Sequence, residues 1–293
     1  MDFIKDIDRD EIRDGFLVTT DRKKVWNRLL QMLMELDRIC KKHDIRYFAD
    51  CGTLIGAVRH NGFIPWDDDI DLMMLRPDYE KFKAVAPKEF KLPYILSASG
   101  KNGTLLTIAK VMDVETSAIE NIKEERPQGL FLDIWPFDDI PDDVERNKEV
   151  WEIRWNLLRA CLDPEKLLQE IDRGLQHKPS NEFLRKYMNL SAFDRFNEYE
   201  KFSYNHYGES ENIGYPLSRV RGIKGNLKRE YYRETLYLDF ESVKIPVPID
   251  YEKVLTSVFG DWHKFVREES VHKAEFLSPD IGYEEILKQL NQG

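Results

Sequence analysis

Between Ile64 and Leu75 the chain carries Asp67, Asp68, Asp69 and Asp71 and no lysine or arginine. In an extended segment alternate side chains share a face, so Asp69 and Asp71 point one way and Ile70 and Leu72 the other. Two ionised carboxylates held that close either raise a pKa or share a cation. Upstream, Gly52-Thr53 leads into a helix-like run from Leu54 to Val58, whose first backbone N–H groups would face an anion. The pattern suits a carboxylate pair holding a divalent metal opposite a phosphate cradle. Asp133, flanked by Leu132 and Ile134, is a third carboxylate for such a site, from a neighbouring strand.

Mg²⁺, or Mn²⁺ in its place, takes oxygen ligands, commonly one or two carboxylates completed by substrate phosphate oxygens and water. Asp69, Asp71 and Asp133 are therefore expected as metal ligands and catalytic residues, holding one or two cations near a diphosphate. Asp133 is also a candidate base for a hydroxyl proton. Gly52 and Thr53 would let the backbone approach phosphate, with Arg59, His60 and Lys110 supplying further contacts. Plainer readings stand beside these. Asp67 and Asp68 read equally as a solvated loop, Gly52-Thr53 as a turn, Asp133 as a strand-end cap, and Lys110 and Arg59 as surface ion-pair partners. Asp69 and Asp71 resist that reading, because aspartate is disfavoured in strands.

The elements that must position these groups follow from periodicity. Val25, Leu29, Leu33, Leu36 and Cys40 predict an amphipathic helix from an N-cap at Asp21 to about His43, preceded by an aperiodic arm over 1–20. Strands are expected at Tyr47–Ala49, at Asp69–Met74, at Tyr94–Ser97, at Leu105–Met112, and from Gly129 to a stop at Pro136. Pro77 opens a helix through about Ala86. This order describes a mixed α/β core. Beyond Pro141, Trp151, Trp155, Leu158 and Leu162 form a helical stripe read as core. A helix is expected over 181–207, a strand from Tyr237 to Ile245, a helix from Tyr251 to Phe259 closed by Gly260, and a last one from Pro279 to Leu290. Asp138, Asp139, Asp142 and Asp143 are expected to cap the helix that follows them.

With 293 residues, 42% hydrophobic and 33% charged, the chain is long enough for one large core or two modest ones. A net charge of −10 argues against general nucleic-acid affinity, although Arg219, Arg221, Lys224, Lys228 and Arg229 cluster. The cysteines (Cys40, Cys51, Cys161) lack zinc-type spacing and fit a reducing compartment. The N-terminus has no basic start followed by an apolar run, and no window is apolar for long enough to span a bilayer. A cytoplasmic location is expected, with peripheral contact at the inner membrane face left open.

The string from Asp50 through Cys51-Gly52-Thr53-Leu54-Ile55-Gly56-Ala57-Val58-Arg59-His60-Asn61-Gly62-Phe63-Ile64-Pro65-Trp66-Asp67-Asp68-Asp69-Ile70 to Asp71 closely resembles the signature of the LicD family, which includes bacterial phosphocholine transferases and fukutin-related proteins. Later segments, Ala109 to Asp113, Gly129 to Asp138, and Phe240-Glu241 through Phe259-Gly260-Asp261-Trp262 to His272, resemble further blocks of that family. The chain departs from it at Lys264-Phe265-Val266-Arg267, where a Pro-Pro pair is common. The resemblance implies an α+β fold: a nucleotidyltransferase-like core with a mixed sheet flanked by helices, at residues 21–143. A mostly helical region over 144–293 would pack on it, on the acceptor side. It also implies His272 as a substrate contact and transfer of a substituted phosphate from a CDP-linked donor, CDP-choline foremost, to a hydroxyl of a cell-surface glycan that can be lipid-linked. Alternatives are a nucleotidyltransferase using a nucleoside triphosphate and a non-catalytic cation-binding scaffold; a nucleic-acid partner is not expected.

Overall fold

A computed structural model describes residues 2–98, 107–124, 126–217, 227–267 and 274–290. The chain opens with strands β1 (Glu11–Arg13) and β2 (Phe16–Val18) and the long helix α1 (Thr20–Lys42). Then come β3 (Phe48–Ala49), α2 (Cys51–Arg59), β4 (Asp71–Leu75), α3 (Arg76–Glu89), β5 (Tyr94–Ser97), β6 (Ala109–Asp113), β7 (Ser117–Ile119) and β8 (Leu130–Asp139). A helical run follows: α4 (Val144–Leu162), α5 (Pro164–Asp172), α6 (Asn181–Met188) and α7 (Ala192–Asn205). The remainder holds β9 (Asn212–Gly214), β10 (Leu227–Lys228), β11 (Thr235–Phe240), β12 (Val243–Pro248), α8 (Tyr251–Phe259), β13 (Phe276–Ser278) and α9 (Tyr283–Leu290).

The central sheet runs β10-β9-β8-β4-β3, with β6 on the first half of β8 and β5 beyond it. Strands β4 and β8 are parallel and the other neighbours antiparallel, so the sheet is mixed and the fold α+β. The buried stripe of α1, including Trp26, Leu29, Leu33 and Leu36, joins Leu72, Leu132 and Ile134 in the main core. A second, smaller core of Leu157, Leu158, Leu167, Leu184, Phe196 and Tyr199 lies within the helical run. Between the two cores Arg76 donates to Asp138 at 2.6 and 2.9 Å, and both side chains are fully buried. No helix among the described residues is long and apolar enough to cross a membrane.

Several expectations are corrected. The N-terminal arm contains a hairpin: Asp14 and Gly15 adopt φ of 49° and 74°, the left-handed pair that a two-residue Asp-Gly turn requires. Thr19, not Asp21, caps α1 through its side chain. Strand β8 does not stop at Pro136. The Asp133 N–H donates to Ile70 O, so odd-numbered N–H groups face β4 and even-numbered ones face the other edge. There β6 pairing ends at Ile134 and β9 pairing begins at Asp138, so Pro136 falls where no donor is needed.

The second half is less helical than expected. Strands β9 and β10 extend the central sheet, and the single strand read over Tyr237–Ile245 is a hairpin turning at Glu241 (φ 54°). The helix read over 181–207 is two, because Ser191 caps a new one at Ala192. Of the stripe on α4, Leu158 is core and Trp151 half-buried, but Trp155 and Leu162 are exposed at 38% and 53%. Of the four aspartates read as caps, Asp143 caps α4. Asp138 and Asp139 are strand residues paired with Arg76 and Arg229 instead.

Candidate active site

The site is built where α2 meets the starts of β4 and β8. Asp71 opens β4, and two hydrogen bonds fasten it to the helix entrance: its N–H donates to Thr53 Oγ1 at 2.9 Å, and its carbonyl accepts from Asp50 N at 3.0 Å. The register then places Asp133 directly opposite Asp71 on the parallel strand. Lys110 on β6 is the register partner of Asp133 on its other side. Its ammonium lies 3.2 Å from Asp133 Oδ1 and 3.4 Å from the centre of the Phe131 ring. Both partners are nearly buried, so the pair is shielded from water.

Asp69 lies in the extended segment just before β4 rather than within it. Among the described residues, carboxylate oxygens of Asp67, Asp68 and Asp69 lie within 4.8 Å of one another. Crowding and burial tell on the protons. Burial first, then the charge of Asp69, pushes the Asp67 carboxyl up to about 8. Burial, then Asp69, Asp133 and Asp50, hold Asp71 well above the usual carboxylate range. Like charges that raise one another's pKa form a set that a divalent cation would relieve, and carboxylate oxygen is the donor type Mg²⁺ and Mn²⁺ take. The residues present therefore fit such an ion. A cavity of about 170 Å³ lies beside Asp68 and Asp69, walled by Leu29, Leu130, Phe131 and Leu277.

Gly52 and Thr53 sit inside the first turn of α2, not in a loop before it. The space a side chain at Gly52 would occupy is taken by Asp67: an added Cβ would stand 2.5 Å from Asp67 Oδ2. The cradle expected for phosphate thus admits a carboxylate of the acidic segment. The preceding Cys51 holds φ at 43°, a left-handed conformation unusual for a residue with a side chain.

Gly52, Thr53, Asp71, Asp133 and Lys110 lie at one junction. Among the described residues, the carboxylates that crowd within 4.8 Å are Asp67, Asp68 and Asp69, not the expected set of Asp69, Asp71 and Asp133. Arg59 and His60 lie elsewhere, at the far end of α2, about 10 Å along its axis at 1.5 Å per residue. Arg59 donates to the carbonyls of Trp262 and Lys264 at 2.9 and 3.2 Å, and His60 Nδ1 lies 2.9 Å from Asp14 Oδ2. They tie the N-terminal hairpin and the 262–267 segment to the core. His272 and the basic residues Arg219, Arg221 and Lys224 lie outside the described residues. Arg229 of that cluster pairs with Asp139 and lies over the Tyr207 ring.

Sequence reading passed over three contributors. Asp50 is buried with no ion-pair partner among the described residues, and that burial raises its pKa. The Trp135 indole donates to Asp71 Oδ1 at 3.2 Å. The Tyr215 hydroxyl donates to Asp50 Oδ2 at 2.8 Å. Trp135 could have been found, since it shares a strand face with Asp133. Tyr215 lies far along the chain with no local signal.

Residues 44–165 match the family model described as the LicD/FKTN/FKRP nucleotidyltransferase domain. The lipopolysaccharide cholinephosphotransferase LicD of Haemophilus influenzae is 28% identical over 256 residues, covering 82% of this chain and 90% of that protein. The chain is thus similar to the LicD family through its nucleotidyltransferase domain. Uncharacterized proteins of Rickettsia typhi and Rickettsia prowazekii are 38% and 36% identical over 66 and 69 residues, 22% and 24% of this chain and 21% and 26% of theirs. The LicD match contains Asp69, Asp71, Asp133, Lys110 and Trp135, and it ends in the first turn of α5, so the rest of the helical run and Tyr215 lie beyond it.

Proposed function

We propose that this protein is a LicD-type phosphotransferase that moves phosphocholine from CDP-choline to a sugar hydroxyl of a cell-surface glycan, with Mg²⁺ or Mn²⁺ as cofactor. The observation that carries the reading is the pairing of Asp71 with Asp133 across β4 and β8, beside the crowded Asp67–Asp69 segment. The likeness to a lipopolysaccharide cholinephosphotransferase along 82% of the chain supports the transferred group and the class of acceptor.

Asp69, Asp71 and Asp133 would hold the ion, with Asp67 and Asp68 close enough to share it. Such an ion neutralises non-bridging phosphate oxygens and the charge that builds on the leaving group. Thr53 and Asp50 fix the backbone of Asp71 from the helix entrance, and Ile70 O anchors Asp133, so both carboxylates are held before substrate arrives. Asp133 would take the acceptor proton, with the Lys110 ammonium 3.2 Å from its carboxylate. A lipid-linked acceptor would bring the protein to the inner membrane face as a peripheral contact.

Incubation with CDP-choline labelled separately in choline and cytidine, plus a lipopolysaccharide or teichoic acid acceptor and Mg²⁺, tests the reading. Choline label on the glycan with release of CMP is expected. Cytidine label on the glycan, or transfer from a nucleoside triphosphate instead, would replace it with a nucleotidyltransferase; metal binding without donor-dependent product would leave a scaffold.

A further inference from the structure

We infer that Tyr215 and Trp135 form an aromatic brace that sets the orientation of the Asp71 carboxylate, and that the helical run following the core exists in part to hold this brace. The inference rests on the reading of Asp71 as a ligand and catalytic carboxylate. It concerns positioning residues, since neither ring is placed to touch the reacting atoms.

The geometry begins at Asp71. Its Oδ1 accepts from Trp135 Nε1, which leaves Oδ2 as the oxygen to offer a cation. A carboxylate so held presents one oxygen in a fixed direction, the service that groups behind a metal ligand commonly perform. The indole is itself held: the Tyr215 ring meets it edge to face, with centroids 5.1 Å apart, and meets Phe137 in the same way at 4.9 Å. The Tyr215 hydroxyl then closes onto the helix entrance. It donates to Asp50 Oδ2 and lies 3.1 Å from Cys51 Sγ, beside the strained turn that feeds Gly52 and Thr53. Tyr215 thus touches both structures that define Asp71, the α2 entrance and the β8 indole.

What holds Tyr215 comes from elsewhere in the chain. Its next two residues are seated on α4: Arg154 donates to Pro216 O at 3.5 Å, and Trp151 Nε1 donates to Leu217 O at 2.9 Å. Leu217 packs on the helical core while Tyr215 packs on the sheet core, so three residues cross from one core to the other. Asp139, at the end of β8, accepts from the same Arg154 through its carbonyl. A path of direct contacts therefore runs from α4 through residues 215–217 to Trp135 and Asp71. The core at 21–143 supplies Asp71 and Trp135, and Tyr215 comes from beyond it.

Two conservative variants of the full chain test this, with Mn²⁺ binding by electron paramagnetic resonance as the main readout. Trp135→Phe keeps a ring and removes the N–H; Tyr215→Phe keeps its ring and removes the hydroxyl. Each is expected to weaken Mn²⁺ binding and lower kcat about 10-fold with little change in the KM for CDP-choline. Because both act on one carboxylate, the double variant is expected to bind Mn²⁺ no more weakly than Trp135→Phe alone. Variants that bind Mn²⁺ and turn over like the parent overturn the brace, as does a lowered melting temperature with unchanged Mn²⁺ affinity. A parent chain that binds no Mn²⁺ overturns the reading of the site itself and the brace with it.

Discussion

Asp71 and Asp133 face each other across parallel strands, and Lys110 approaches the second but is not a register partner of the first. The Asp71 carboxylate has a hydrogen bond from the neutral Trp135 indole and the charges of Asp69, Asp133 and Asp50 around it. A folded protein that keeps a carboxylate under such repulsion gives up stability for function. Asp71→Asn removes the charge and nearly preserves the shape. It is expected to raise the melting temperature of the metal-free protein by a few degrees, corresponding to about 1 kcal/mol, while choline transfer falls below about one-thousandth of the parent rate. A variant that is less stable and still active would place the chemistry elsewhere.

Two glycines of α2 separate a requirement of the site from one of the fold. A Cβ on Gly52 would meet the Asp67 carboxylate at 2.5 Å, the far end of a side chain that can move. A Cβ on Gly56 would meet the carbonyl oxygen of Gly62 at 2.4 Å, which is backbone. Gly52→Ala is expected to cost about 1 kcal/mol or less in stability but to displace the acidic segment and lower turnover by about 100-fold. Gly56→Ala should destabilise by about 2–3 kcal/mol through overpacking, at the upper end of such costs. Thermal melts and rates on the two purified variants check this, and the reverse ranking would contradict it.

The site's centre was legible because its pieces are local: an acidic run, a glycine entering a helix, and an aspartate between apolar strand residues. Register did the rest, since parallel pairing of two short strands places Asp71 beside Asp133. What lay beyond reading were contacts made across long sequence distances. Tyr215 reaches Asp50 over 165 residues, and no periodicity marks it. Arg59 misled because proximity in sequence to Gly52 is not proximity in space when a helix carries the chain away. The N-terminal hairpin had a readable signal in Asp14-Gly15, outweighed by the charge around it. Pro136 was read as a strand stop because the gap between β6 and β9 that accommodates it is a tertiary feature.

Lys110 and Asp133 form a nearly buried pair. Removing the cation leaves Asp133 opposite Asp71 without its counter-charge, and breaking such a pair typically costs 3–5 kcal/mol. Lys110→Met is expected to lose about 3 kcal/mol in chelator. Part of that loss should return when Mg²⁺ or Mn²⁺ is added, because the ion supplies the missing positive charge, and Asp133→Asn in the same chain should also restore it. Denaturant melts with and without the ion check this. A loss that neither the ion nor the second substitution relieves would make Lys110 a packing residue.

The junction between the two cores carries an opposed pair of pH effects. Burial by itself would push Asp138 up, but the charges of Arg76 and Arg154 and the Arg76 hydrogen bonds outweigh it, holding the carboxyl below 3.8. An acid depressed on folding stabilises fully above its unfolded pKa and loses that contribution as pH falls through the folded value. Glu200 goes the other way: burial outweighs Lys83 and raises it above 4.5. Its contribution is present below 4.5 and is lost as pH rises through the folded value. Asp138→Asn is therefore expected to cost about 3 kcal/mol at neutral pH, since it takes from buried Arg76 the carboxylate that accepts two of its hydrogen bonds and leaves it Glu80 alone at hydrogen-bond distance. It should also flatten the fall in stability below about pH 4. Glu200→Gln should flatten the opposite slope, above about pH 4.5, and cost less, because Glu80 remains within 3.0 Å of Arg76 and 3.3 Å of Lys83. Urea midpoints across that pH range, compared among the parent and the two variants, decide it. An unchanged acid limb in Asp138→Asn would mean that another carboxylate governs acid unfolding.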